Sequence, residues 1–163
     1  MTAVLGQLGL GPINAATWSA DGGWLEDAAA PLVQSVNPAT GEPESTHPTA
    51  TDAEIGEAIA RTQGAFAGWS RTPVAERAHL IHRVADLYAE RIDELAALIT
   101  REMGKTTAEA TGEIEFVVDI YRYYADNGAR LLADEPLPSE TGGNAIVRKT
   151  PIGPLLGIMP WNY

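Results

Sequence analysis

The chain has 163 residues, no cysteine, and 22 acidic against 11 basic side chains, for a formal net charge of −11. That sign disfavours a protein that tracks a nucleic-acid backbone. The missing thiol excludes disulfides, thiolate metal sites and a cysteine nucleophile within these residues. A composition of 45% apolar and 20% charged residues is globular and can bury a sizeable core.

No apolar run approaches membrane length, and the first residues lack a basic region followed by a hydrophobic one. A cytoplasmic protein without a membrane partner is expected. Residues 1–32 are poor in charge and rich in Gly and Ala, and read as an amino-terminal arm. Gly9 and Gly11 could suggest a phosphate loop, but the third glycine and a preceding strand are missing. Trp18 and Trp24 are bulky apolar groups that would dock the arm onto a domain or a partner.

Leu32–Val36 is a short strand candidate, closed by the turn residues Asn37-Pro38-Ala39-Thr40-Gly41-Glu42, with residues 42–50 returning as a second strand. Thr51-Asp52-Ala53-Glu54 is a capping-box pattern that predicts a helix start. Ile55, Ala58, Ile59, Ala65, Phe66 and Trp69 then form one apolar stripe. Gly64 and Gly68 weaken that helix while leaving room for a neighbour.

Thr72 as cap and Pro73 at the first helical position predict the next helix. Its apolar period runs from Leu80 to Met103, longer than an ordinary helix, so a break is expected across Arg91 to Glu94. Gly104 is a natural C-terminal cap. Thr106 to Glu109 repeats the capping box, and a further helix follows through Ile114, Val118, Tyr121, Ala125 and Leu132. Residues 134–143 read as loop, and Ala145 to Lys149 as a strand.

Leu155 to Met159 is a continuous apolar run after a Pro/Gly turn, the pattern of a strand covered on both faces in a parallel sheet. Ligands bind beyond the carboxyl ends of such strands, which is where Pro160, Trp161 and Asn162 fall. A parallel neighbour requires a crossover of a dozen or more residues. The sequence is therefore expected to be part of a larger protein, unless this run pairs with something upstream.

His79 and His82 share a ligand-like spacing, but no other His or Cys completes a site, so solvated histidines and no metal are expected. Glu113 with Glu115, or Asp126 with Glu109, could be an acid/base pair, yet a solvated helix face explains them as well. Tyr121, Tyr123 and Tyr124 read as core and interface rather than a base-stacking platform. Asn162 stands evenly between a turn residue satisfying nearby backbone and a fixed amide donor aimed at a developing oxyanion.

Ile158-Met159-Pro160-Trp161-Asn162 resembles the I-x-P-W-N segment of the NAD(P)-dependent aldehyde dehydrogenase family. Upstream, Asn37 to Glu42, Trp69 with Thr72-Pro73 and Glu76-Arg77, Leu98-Ile99 with Glu102-Met103-Gly104-Lys105, Tyr123-Tyr124-Ala125 and Pro151-Ile152-Gly153-Pro154 follow in family order. The resemblance covers about residues 33–163. The Glu102–Lys105 segment and the run from Arg148 to Pro154 are most similar to succinate-semialdehyde dehydrogenases, whereas Asn14 to Trp24 is similar to the amino-terminal segments of some other semialdehyde dehydrogenases.

The resemblance implies an α/β fold: the arm at 1–32, a helical part of a cofactor-binding domain at 33–143, an assembly hairpin carrying Arg148 and Lys149 at 144–154, and a truncated first strand of a Rossmann-like sheet at 155–163. It implies that Ile158, Met159, Pro160, Trp161 and Asn162 line the cleft for NAD or NADP, and that Asn162 donates in the oxyanion hole. Ile120 matches a position that often lines the substrate tunnel, although an aromatic is common there in the succinate-semialdehyde group. The implied reaction is oxidation of a small aldehyde, succinate semialdehyde foremost, to its acid by a homo-oligomeric enzyme. A cysteine thiolate attacks and a glutamate activates water, and both are implied beyond position 163. The chain alone is therefore expected to be inactive. The alternative is a noncatalytic helical module that binds a partner such as a full-length relative.

Overall fold

The computed structural model describes residues 17–19 and 23–25 by their backbone, and residues 30–160 apart from 141. Thr17–Ser19 (β1) and Gly23–Leu25 (β2) pair antiparallel, with Trp18 opposite Trp24 in the register. The stretch expected as a plain arm thus contains a hairpin.

Leu32–Val36 (β3) and Pro43–Pro48 (β4) form the second antiparallel hairpin, from Leu32 opposite Pro48 to Val36 opposite Pro43. Its turn has local causes. The Asn37 side-chain oxygen accepts the Ala39 N–H at 2.9 Å, the Asn37 carbonyl accepts the Gly41 N–H at 2.7 Å, and Gly41 takes a left-handed φ of 73°, a region that favours glycine.

The first helix, α1 (Asp52–Trp69), starts at the expected capping box: the Thr51 hydroxyl accepts the Glu54 N–H at 3.3 Å, and the Glu54 carboxylate accepts the Thr51 N–H at 2.7 Å. The second, α2 (Val74–Glu90), begins one residue later than predicted. Pro73 is extended (ψ 142°) and itself occupies the cap position without a side-chain bond. The Thr72 hydroxyl instead donates back to the Gly68 carbonyl, closing α1.

The predicted break falls at Arg91, whose φ of −124° ends α2 and opens α3 (Ile92–Met103). Gly104 then turns left-handed at φ 82° and donates its N–H to Thr100, the expected C-cap. The last helix, α4 (Thr107–Leu131), is capped by Thr106, which accepts the Glu109 N–H at 3.3 Å; the Glu109 carboxylate meets the Thr106 hydroxyl at 2.7 Å.

The core lies where α4 crosses α2 and α3. Ala85 and Ala110 are fully buried and Ala96 nearly so, and these small residues let the helix backbones approach closely. Ile99 and Ile114 fill the space between, with Tyr88, Ile92 and Leu95 packed against them. Helix α1 stands outside this core. Its predicted stripe is largely uncovered, with Ile55, Ile59 and Trp69 all exposed. Beyond the adjoining residues and backbone of α1 itself, no described atom lies within 4 Å of where a Cβ on Gly64 or Gly68 would sit, so the neighbour those glycines could admit is absent among the described residues.

Two strand expectations change. Residues expected as loop supply Glu135–Leu137 (β5), which pairs antiparallel with Ala145–Val147 (β6). Pro136 fits because an edge strand leaves its nitrogen outside the ladder. The hairpin thus straddles the boundary drawn at 143 and 144. Leu155 to Met159 forms no strand: a strand exists only by bonding to a neighbour, none of the three two-stranded sheets among the described residues takes this run as one, and it lies exposed. No helix among the described residues is long and apolar enough to cross a membrane.

Candidate functional site

After β6 the chain passes Gly153, at φ 113°, and runs on without regular structure to Pro160. Ile158 and Met159, predicted to line a nicotinamide cleft, are 78% and 84% exposed. Pro160 is exposed beside them. Trp161 and Asn162 lie outside the described residues.

Ile120 sits on α4, on the side away from the core. The buried residues Ala110, Ile114, Val118 and Ala125 mark one face of that helix, and Phe116, Ile120, Tyr123 and Tyr124 form an exposed stripe across from it. The tyrosines therefore divide. Tyr121 packs edge-on against Tyr88, ring centroids 5.6 Å apart, and burial, with Tyr121 as neighbour, pushes the Tyr88 phenol above its ordinary range. Tyr123 and Tyr124 contact each other but stay exposed.

The carboxylates considered as acid/base groups have identifiable neighbours. Glu113 receives Lys105 at 2.6 Å, with side chains only 13% and 14% exposed. Asp126 meets His82 at 2.9 Å, Glu109 serves the α4 cap, and Glu115 lines a polar recess with Glu90, Asp93 and Glu94. His82 thus faces Asp126 across the α2–α4 contact. Among the described residues no three His, Cys, Asp or Glu side chains are grouped as a metal site.

On the β5–β6 hairpin, Arg148 makes a bidentate contact with Asp134, at 3.0 and 2.6 Å, and Lys149 pairs with Glu135. The guanidinium holds the Asp134 carboxyl below the usual carboxylate range, and the Arg148 pKa is raised in return. Sequence reading placed both cations on a hairpin but missed their partners, because Asp134 and Glu135 lie in a stretch that reads as loop.

The profile of the Aldehyde dehydrogenase family matches residues 24–163. The chain belongs to that family. Among its aldehyde dehydrogenase relatives, succinate-semialdehyde dehydrogenase (NADP+) of Deinococcus radiodurans is 45% identical over 129 residues, covering 79% of this chain and 27% of that protein. The chain thus spans less than a third of the length of this relative.

Solved aldehyde dehydrogenases share the fold of the part described. The succinate-semialdehyde dehydrogenase from Burkholderia pseudomallei superposes with a TM-score of 0.70 at 33% identity, over 79% of this chain and 26% of that one. The succinic semialdehyde dehydrogenase from Streptococcus pyogenes, in complex with NADP+, gives 0.66 at 31% identity, over 69% and 25%. The mixture of helices and strands is that of an amino-terminal portion of the aldehyde dehydrogenase fold.

Proposed function

We propose that the chain serves NAD(P)-dependent oxidation of succinate semialdehyde to its carboxylic acid, as the amino-terminal part of an aldehyde dehydrogenase. The observation that carries this reading is the 45% identity to a succinate-semialdehyde dehydrogenase (NADP+). The cofactor fits the residues present: Ile158 and Met159 offer adjacent exposed apolar side chains, the kind of surface that packs against a flat ring. When bound, NAD(P)+ supplies the hydride acceptor.

The chain's own part is to hold and to polarise. Ile158, Met159, Pro160 and Trp161 form the wall of the cofactor cleft. Asn162 donates from its side-chain amide to the aldehyde oxygen as negative charge develops there, and Ile120 lines the approach of the substrate. The 163 residues contain no cysteine, so the attacking thiolate is supplied from outside them and the chain by itself is inactive. The assembled enzyme is a cytoplasmic homo-oligomer in this reading.

A chimera in which residues 33–163 replace the matching stretch of the Deinococcus radiodurans relative tests the proposal. It is expected to reduce NADP+ with succinate semialdehyde. A compact chimera that binds NADP+ yet oxidises no aldehyde overturns it.

A second reading, a noncatalytic module that binds a full-length relative, is favoured by the exposed apolar side chains of Leu155, Leu156, Ile158 and Met159. Co-expression separates the two. A stable stoichiometric complex of the chain with an intact, active relative supports the module.

A further inference from the structure

We draw no further inference here: the strongest candidate, the open apolar groove of about 600 Å³ between the end of α1 and the first turns of α2, lined by Trp69, Thr72, Ala75, Glu76, His79 and Leu80, carries nothing because nothing in the structure shows what covers it.

Discussion

Arg101 on α3 donates through its guanidinium to the Glu44 carboxylate on β4, a side-chain contact spanning 57 positions of sequence. The same carboxylate accepts from the Asn37 amide at 2.8 Å. One acidic group thereby ties the β3–β4 turn to the end of the helix that follows two others. Arg101, foremost, and Asn37 hold the Glu44 carboxyl below its ordinary pKa, against the opposing effect of burial.

A depressed carboxylate pKa gives a stability contribution that is present above the unfolded value, near 4.5, and is lost as pH falls through the lower folded value. Glu44→Gln is therefore expected to lower the urea midpoint at pH 7, with the difference from the parent shrinking below pH 4.5 and vanishing once the parent carboxyl is protonated. Denaturation curves at several pH values check this. A difference that stays constant down to the acid limit rules out the ion pair as its cause.

Gly104 and Gly64 are both glycines near or within helices, yet alanine should act on them with opposite signs. At Gly104 the backbone is left-handed and a Cβ would meet the Pro38 ring at 3.0 Å, so Gly104→Ala should destabilise by about 1–2 kcal/mol. At Gly64 the helix is regular and, beyond the adjoining residues and backbone of α1 itself, nothing described stands within 4 Å, so Gly64→Ala should stabilise α1 by about 0.5–1 kcal/mol. Circular dichroism melts of the two variants decide the matter.

Burial separates two isoleucines in the same way. Ile114 is 5% exposed in the cluster with Ala96, Ile99 and Ala110, and Ile114→Ala should cost about 2–4 kcal/mol through lost apolar transfer and the cavity left behind. Ile59 is exposed on α1, and Ile59→Ala should stay within about 0.5 kcal/mol. Equal losses at the two positions in urea unfolding would place α1 inside the cooperative core.

Lys105 and Glu113 are mostly shielded from water, so removing one partner matters more than replacing both. Lys105→Met leaves the Glu113 carboxylate without this cation and should cost about 3 kcal/mol. The double variant Lys105→Met with Glu113→Leu should recover a large part of that loss. A double-mutant cycle in urea measures the coupling, and strictly additive effects would show the two side chains to be independent.

Asn162 is tested in the chimera. Loss of one oxyanion donor lowers kcat by about 100- to 1000-fold, so Asn162→Ala should show that fall in steady-state NADP+ reduction while NADP+ binding persists. Asn162→Ala with unchanged kcat removes the residue from the oxyanion role.

Short-range chemistry was readable because its determinants are neighbours in sequence. Thr51 with Glu54, Gly41 in its turn, Gly104 at its cap and the break at Arg91 each depend on only a few consecutive residues, and each stands where it was expected. Thr106 caps its helix as expected, but the Glu109 carboxylate meets the Thr106 hydroxyl and not its backbone N–H, so only half of that capping box forms. The start of α2 lies one position later than expected because Pro73 is extended and takes the cap position, while the Thr72 hydroxyl bonds back to α1 instead. Of the candidate site, the motif from Ile158 to Asn162 was visible as a family pattern. Ile158, Met159 and Pro160 are described as exposed chain, while Trp161 and Asn162 fall outside the described residues.

The sequence by itself placed the helix starts and ends to within about a residue and carried the family motifs, because caps, turns and motifs are written in adjacent residues. Only the tertiary structure decided which apolar surfaces become core. The α2 and α3 faces close on α4, whereas the α1 stripe and the run from Leu155 to Met159, no less apolar, stay open. Tertiary structure likewise paired Glu135–Leu137 with β6, and it joined Arg101 to Glu44 and Lys105 to Glu113. Burial and strand pairing depend on a second surface, and hydrophobic periodicity marks a face without naming its partner.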